Sequence, residues 1–585
     1  MKEKLRAGMP FFGFIFCPVI TFILTELYTH NPFSDMKPIP WALNILLYWL
    51  LAGFLVMATG RLRAALRIQT IFFLLAGLAN YYVISFRSSP ILPWDIYSAG
   101  TAASVADNFS YALPVKIWFL LLGFVLLLLA EQLFSYRVRR KKIRLAGVMV
   151  CAVMLLGFTS FLHQEWAINR MRLYDKMFTP GVVQRRNGCA VAFAMELKYL
   201  VAEKPEGYDA EESRALLASY ESEIAAPEEE LPNIIVIMDE AFADMSYVGD
   251  FTCSRDVIPF VQSLEGGENV ISGRLHVSVL GGNTANTEFE FLTGNTMAFF
   301  PEGSIPYQQY IRGPIPSLVS ELREAGYAAV AMHPYYASGW SRDKVYTWLG
   351  FDEMRFLEDY EDVEYVRKYA SDRWDFEQII QEYEQRDKDK PFFLFNVTMQ
   401  NHGGYDQAYD NFFPDIEVEG IKSQSLSNYL SLISMTNQAL EDLIAYFEQE
   451  EEPTMIVFFG DHQPNDTVAG PIRAYNGISA EDMSWEQEME RYQVPFFIWA
   501  NYDIEEKQGV ETSANFLALE VLEQAGIPVK GYYGYLKELQ NRCPVISGKQ
   551  VVKSDGTGLD SDAGSGLEEL ALYRKVQYYR MFEAN

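Results

Sequence analysis

Two stretches far apart in the chain end an apolar run in groups that bind cations. PNIIVIMDEAFADM places Glu240 directly after one such run, and MIVFFGDHQP places Asp461 and His462 after another. Two carboxylates and an imidazole form a mixed oxygen and nitrogen set suited to a divalent ion such as Mn²⁺ or Zn²⁺. Singly, each has a plainer reading, since Gly-Asp-His after a strand is commonly a turn and a Glu there commonly a helix cap. Between them lies GGNTANTEFEF. Gly281 and Gly282 allow a tight turn, and Asn283 and Thr284 are N-cap types ahead of ANTEFEFL, a segment able to begin a helix. A hydroxyl there sits at the positive end of a helix dipole, where an anion is favoured. Direct coordination to a metal would supply the further activation that a threonine alkoxide needs. In isolation the segment reads first as an ordinary N-cap.

The elements that must carry these groups are strands and helices in alternation. Residues 233–239, 328–332, 392–398, 455–459 and 494–500 are short apolar runs, as expected of strands buried on both faces. Helical patterns separate them: PSLVSELREAGY with Pro316 near its start and Gly326 at its stop, LSNYLSLISMTNQALEDLIAYFEQ, and ANFLALEVLEQAG. The pattern predicts an α/β domain with a largely parallel sheet. In such sheets ligands bind outside the carboxyl ends of the strands. Glu240 ends one strand, His333 follows a second, His402 a third and Asp461–His462 a fourth, so residues distant in sequence reach one rim.

The chain of 585 residues is too long for one ordinary domain. Apolar runs at about 9–28, 42–60, 69–86, 115–134 and 145–163 approach the roughly 20 residues that cross a bilayer. Basic clusters fall on alternate connections: Lys2, Lys4 and Arg6; Arg61, Arg63 and Arg67; and Arg137, Arg139, Arg140, Lys141, Lys142 and Arg144. The positive-inside rule makes all of these cytoplasmic. The first run is long for a signal peptide and lacks a small-residue cleavage site, so it reads as a retained anchor. Five spans place everything after residue 165 outside, with His30 and His163 at outer span ends. We expect a five-span membrane domain over 1–165, a helical linker over 166–230, a catalytic domain over 231–545 and a tail over 546–585. Cys189, Cys253 and Cys543 allow at most one external disulfide, so no disulfide framework holds the domain. The net charge of −29 argues against nucleic acid and suits an exposed, solvated surface.

This combination resembles the lipoteichoic acid synthase family, membrane phosphoglycerol transferases of the alkaline phosphatase and sulfatase superfamily. The likeness covers almost the whole chain and is strongest over about 232–500. The family's metal-binding glutamate matches Glu240 in IVIMDEAF, its nucleophilic threonine matches Thr284 in NTANTEF, and its Asp-His pair matches Asp461 and His462 in FFGDHQ. Its substrate-side segment matches His333, Trp340 and Arg342 in HPYYASGWSRD, and its Asn-His matches His402 in TMQNHGGY. MDEAF stands where the family often has an LES-type string, and Gly-Gly-Tyr follows His402 where other residues are usual. GGNTANTE lacks the C/S-x-P-x-R motif of sulfatases proper, which argues against sulfate-ester hydrolysis.

The resemblance implies an extracellular enzyme holding Mn²⁺, or another divalent ion such as Zn²⁺ or Mg²⁺, on Glu240, Thr284, Asp461 and His462. Thr284 would attack phosphatidylglycerol, release diacylglycerol and pass glycerol phosphate from a phosphothreonine to a glycolipid or polymer acceptor. Arg342 would clamp phosphate, His402 would donate to a phosphate oxygen or shuttle a proton, and Trp340 would pack on the glycerol. Two other readings stand beside it. One is a phosphoethanolamine or other headgroup transferase that decorates a surface glycan. The other is a non-catalytic membrane scaffold, which would have no physical need for all four metal-site residues.

Overall fold

The computed structural model describes residues 2–87, 89–97, 113–175, 180–221, 231–479, 482–560, 564 and 566–584. By its internal contacts the chain divides into two units, Met1–Ile96 with Phe109–Val201, and Tyr97–Asn108 with Ala202–Asn585. The boundary at residues 201 and 202 falls inside the segment expected as a linker. Of that segment, 176–179 and 222–230 lie outside the described residues. So do 561–563, 565 and 585 of the expected tail.

The first unit carries five long helices: α1 (Lys2–Glu26), α2 (Pro38–Thr59), α3 (Leu62–Arg87), α4 (Val115–Ala130) and α5 (Lys141–Leu162). Each contains a stretch long and apolar enough to cross a membrane, from Met9–Glu26 in α1 to Lys141–Leu162 in α5. Phe119, Leu126, Val153 and Leu156 stay exposed on these helices. A helix that is apolar all round is either deeply buried or in lipid. After α5, short helices Glu165–Met171 and Pro180–Asn187 lead to α6 (Cys189–Glu196).

The second unit is built on an eight-stranded sheet. Its strands are β1 (Asn233–Asp239), β2 (Val270–His276), β3 (Ala328–His333), β4 (Glu353–Phe356), β7 (Phe392–Val397), β8 (Thr454–Gly460), β9 (Gln493–Ala500) and β10 (Lys507–Ser513). A two-residue hairpin, β5 (Tyr365–Val366) and β6 (Tyr369–Ala370), stands apart from it. The spatial order is β10-β2-β9-β8-β1-β7-β3-β4. Only β9 opposes the others, pairing antiparallel with both β8 and β2. Every residue of β1, β7, β8 and β9 is buried, which is why these strands read as unbroken apolar runs.

The strands that end in the predicted site residues are neighbours in the sheet, in the order β8, β1, β7, β3. The register finishes the placement. Asp239 pairs with Gly460 at the ends of β1 and β8, so Glu240 and Asp461 leave the sheet side by side. Helix α7 (Thr284–Thr293) crosses the sheet, its Phe291 against Phe395 of β7 and Phe459 of β8 at ring separations of 5.9 and 5.1 Å. Burying such a ring contributes about 1.5–3 kcal/mol. Gly294, at φ 66°, ends α7 in the left-handed conformation that suits glycine.

Further helices cover the sheet: α8 (Leu318–Glu324), α9 (Arg342–Leu349), α10 (Asp372–Gln385), α11 (Gln424–Phe447) and α12 (Ala514–Gln524). Ser317 caps α8 through a capping box, so Pro316 lies just outside the helix. The C-terminal helix α13 (Glu568–Phe582) packs into the same unit, with Tyr573 and Val576 fully buried. The Tyr573 hydroxyl donates to the Gly294 carbonyl, and Thr296 N–H donates to Gln577 Oε1 at 2.8 Å. The tail thereby pins the far end of the helix that begins at Thr284.

Candidate functional site

Glu240, Thr284, Asp461 and His462 converge at the carboxyl edge of β1 and β8, and each is at most 6% exposed. Ala241 N–H donates to Asp461 Oδ1 at 2.7 Å, which fixes that carboxylate against the end of β1. The His462 Nδ1–H donates to the Gln463 carbonyl at 3.0 Å, so its Nε2 carries the lone pair. That lone pair faces Asp461 Oδ2 at 3.3 Å and Glu240 Oε1 at 3.7 Å. Asp461 Oδ2 and His462 Nε2 are buried with no hydrogen-bond partner in the protein. The donor atoms of Glu240, Asp461 and His462 all lie within 4.8 Å of one another. Lone pairs brought together without hydrogens repel one another unless a cation stands between them, and this set of oxygen and nitrogen donors fits a divalent ion.

The Thr284 hydroxyl donates to Glu240 Oε2 at 3.1 Å. It occupies the first turn of α7 behind Asn283, a left-handed N-cap at φ 67° that makes no side-chain capping bond. Thr287 Oγ1, one turn on, donates to the Asp461 carbonyl at 2.7 Å and ties α7 to the end of β8. Gly281 N–H donates to the Gln463 carbonyl at 2.9 Å. A Cβ on Gly281, at φ 67°, would stand 2.9 Å from that of Asn465, so the turn requires glycine. At Gly460 a Cβ would lie 2.0 Å from the Phe242 carbonyl oxygen. Burial and the Asp461 charge hold the Glu240 carboxyl well above its ordinary range.

Beneath these residues lies a buried polar layer. Thr398 Oγ1 accepts the Glu240 N–H at 3.1 Å and donates to Asp239 Oδ2 at 3.1 Å. Asn401 donates to Asp239 Oδ1 at 2.8 Å and to Thr436 at 2.9 Å. Asn401 of the Asn-His pair thus braces the strand end that carries Glu240 and leaves the open edge to His402.

On the β3 side, His333 Nδ1–H donates to the Val397 carbonyl at 2.8 Å, leaving Nε2 to accept from Arg342 Nη1 at 3.1 Å. Burial and then the Arg342 charge keep the His333 imidazolium well below its usual range. Arg342 Nε lies 3.1 and 3.2 Å from the two Glu288 oxygens, and Nη2 also donates to Oε1. The Tyr346 hydroxyl donates to the other oxygen at 2.7 Å. Glu288 and His333 thereby fix the Arg342 guanidinium in place. Trp340 is half-buried against the core, in a left-handed conformation shared with Ser341.

On the β7 side, His402 Nδ1 meets the Tyr369 hydroxyl at 3.0 Å. Burial, with the Arg367 and His462 charges, pushes its imidazolium down to about 3. Arg367, in the turn between β5 and β6, is a residue that sequence reasoning missed. Its Nη2 donates to the Gln400 and His402 carbonyls at 2.7 Å each, while Nε and Nη1 are buried without partners. Its charge reaches both His402 and Glu240. The signal available in sequence was only a basic pair in VEYVRKYA, which reads as an exposed turn. Ala241, Asn283, Trp340, Ser341 and Arg367 account for five of the eight non-glycine residues with positive φ among the described residues. Backbone strain collects where function requires it.

Comparison with known proteins bears on the family and the fold. The family model described as Sulfatase matches residues 232–527. A curated relative from Rhizobium meliloti (strain 1021), named "Putative cyclic beta-1,2-glucan modification protein", is 31% identical over 471 residues, spanning 79% of this chain and 72% of its own. Lipoteichoic acid synthase 1 of Bacillus subtilis (strain 168) is 24% identical over 279 residues, 46% of this chain and 41% of its own. Among solved structures, the Streptococcus pyogenes phosphoglycerol transferase GacH in complex with sn-glycerol-1-phosphate shares the fold. It is 22% identical with a TM-score of 0.51, over 65% of this chain and 95% of that one. The alkaline-phosphatase-like sheet, the carboxylate and imidazole cluster at its edge and the five apolar helices ahead of it lead to one assignment: the chain belongs to the sulfatase family, as a lipoteichoic acid synthase-like member.

Proposed function

We propose that the protein is a membrane-anchored transferase that moves glycerol phosphate from phosphatidylglycerol to a cell-surface glycan through a phosphothreonine at Thr284. The observation that carries this reading is the Thr284 hydroxyl directed at Glu240 beside the unpartnered donors of Asp461 and His462. The glycan acceptor is favoured over a polymerised one because the relative named for glucan modification matches 79% of the chain, whereas the lipoteichoic acid synthase matches 46%.

Glu240, Thr284, Asp461 and His462 would hold a divalent ion such as Mn²⁺, which when bound polarises phosphoryl oxygens and lowers the pKa of the nucleophile. The Thr284 oxygen forms the new bond to phosphorus as the bond from phosphorus to the diacylglycerol oxygen breaks. The threonine proton, lying against Glu240 Oε2, ends on that leaving oxygen. In the second half, the acceptor hydroxyl attacks the same phosphorus as the bond from phosphorus to Thr284 breaks, and the acceptor's proton ends on the Thr284 oxygen. His402, neutral at physiological pH with Nδ1 engaged by Tyr369, would relay that proton without keeping it. Arg367 and Arg342 would supply N–H donors to the phosphoryl oxygens. The alternating basic clusters orient the second unit outward, where donor lipid and glycan meet.

The test is mass spectrometry of the full-length protein given labelled phosphatidylglycerol without acceptor. Glycerol phosphate is expected on the peptide containing Thr284, and addition of a glucan should discharge it. Thr284→Ala should abolish the adduct, and Thr284→Ser should retain part of the activity. An adduct on another residue, or a fully active alanine variant, overturns the mechanism. A phosphoethanolamine adduct from a mixed lipid panel would assign the other headgroup.

A further inference from the structure

A second cluster of metal-binding side chains lies in the first unit, where α1 ends. Glu26 is the last residue of α1, His30 follows by four positions, and Cys189 opens α6, 163 residues from Glu26. The Cys189 N–H donates to Glu26 Oε1 and Oε2 at 2.9 and 3.1 Å, which locks the carboxylate at the start of α6. Cys189 Sγ stands 3.1 Å and His30 Nε2 3.4 Å from the same Oε2. The three donor atoms lie within 4.8 Å of one another.

Each donor is held from behind. Gln184 Nε2 donates to Cys189 Sγ at 2.7 Å and to Thr29 Oγ1 at 3.4 Å. Thr29 Oγ1 gives its own hydrogen to the Glu26 carbonyl at 3.4 Å and meets His30 Nδ1 at 3.1 Å. With Nδ1 held by Thr29, the ring turns Nε2 toward the Glu26 carboxylate. Nε2 has no hydrogen-bond partner, and the His30 side chain is 2% exposed. The arrangement at His462 is the same: Nδ1 fixed by an oxygen, Nε2 orphaned beside carboxylate oxygens. Hydrogen bonds that orient ligands from the side away from the ion are the usual support of a metal site.

We propose that Glu26, His30 and Cys189 hold a second divalent ion of the class that takes sulfur, nitrogen and oxygen together, Zn²⁺ foremost, with its fourth position left to water. Thiolate and imidazole select Zn²⁺ over Mn²⁺ or Mg²⁺, which prefer all-oxygen or oxygen-rich sets. The ion would clip the end of the first spanning helix to the start of α6, closing a long loop and anchoring the segment by which the chain leaves the helix bundle.

The test uses full-length protein in detergent, stripped of metal and reloaded with Co²⁺ as a spectroscopic probe. Two bound equivalents are expected, with a near-ultraviolet thiolate-to-cobalt band. Cys189→Ser should remove the band and one equivalent. Asp461→Asn should remove the other equivalent and leave the band. In the Asp461→Asn background, where the catalytic cluster is emptied, Zn²⁺ and not Mn²⁺ should raise the melting temperature of the stripped protein, and adding His30→Asn should abolish that response. A folded wild type that binds a single equivalent, lost in Asp461→Asn and without a thiolate band, overturns the proposal. That outcome would mean a shared proton joins the three groups. If the serine variant fails to fold, the wild-type spectrum and the His30→Asn titration decide between the same two outcomes.

Discussion

Arg342 and Glu288, 54 positions apart in sequence, meet as a fork-on-fork ion pair with side chains 3% and 0% exposed. Glu288 lies one helical turn beyond Thr284 on α7, so the helix that presents Thr284 also holds Arg342. Removing one partner strands the other as a buried charge, which costs about 3–5 kcal/mol. Glu288→Ala should therefore destabilise the protein by that order, and the double variant with Arg342→Ala should cost less than the sum of the two. Denaturant unfolding of the three variants measures the coupling; additive losses would mean that the pair does not act as a unit.

Loss of an oxygen donor should empty the catalytic centre without unfolding it. Asp461→Asn keeps the shape and the bond from Ala241 N–H but offers a poorer ligand. We expect loss of one bound metal equivalent and of turnover, with the melting temperature of the metal-stripped protein nearly unchanged. Elemental analysis of the purified variant reads the first, and retention of full occupancy would remove Asp461 from the ligand set.

Arg367 should act on substrate more than on stability. A hydrogen bond to a charged group contributes about 1.5–3 kcal/mol, which corresponds to roughly ten- to a hundredfold. Arg367→Lys keeps the charge but loses the planar fork. We expect kcat/KM for the lipid donor to fall by about that factor in the lysine variant, and the same loss with glycerol phosphodiester analogues that lack acyl chains. Unchanged kinetics would confine Arg367 to bracing the carbonyls of Gln400 and His402.

Glu290 gives a stability test that is independent of metal. Burial raises its carboxyl to about 7 from an ordinary 4.5, although Ser278, Thr296 and the Met297 N–H all donate to Oε1. The folded chain then keeps a proton that the unfolded chain releases, so stability falls as pH rises from about 4.5 to about 7 and is level above. The span is on the order of 3 kcal/mol. Glu290→Gln, uncharged throughout, should flatten that slope and be the more stable form at pH 8. An unchanged slope would show that the carboxyl is ionised in the folded state.

The groups legible in sequence were those whose position follows from one local fact. A strand buried on both faces is an apolar run, and Glu240, His333 and Asp461 stand at the end of one. The central strands were readable for that reason, and the edge was not. β2 reads VISGRLH, interrupted by glycine and arginine, and β10 reads KQGVETS with most of its residues in contact with solvent. β10 is the outermost strand and mostly exposed, whereas β2 is largely buried between β10 and β9 but carries Ser272, Arg274 and His276, which break its apolar run. Arg367 was hidden for the opposite reason. Its burial depends on carbonyls of residues 400 and 402, and nothing in its neighbours announces that contact. Glu26 and Cys189 were read as parts of separate segments, since only the folded helix bundle brings them together. Arg342 was expected from the resemblance to clamp phosphate, and its engagement with Glu288 was not legible in sequence.

Gly460 touches no substrate and donates nothing to the site, yet the Phe242 carbonyl leaves no room there for even a methyl group. Most interior positions tolerate exchange of one apolar side chain for another of similar volume. Here the neighbour is backbone, which cannot repack, so any side chain must push Asp461 out of line with Glu240. In a saturation library selected for activity, position 460 should therefore be as intolerant as 461. The steric constraint on this centre begins one residue before its chemistry does.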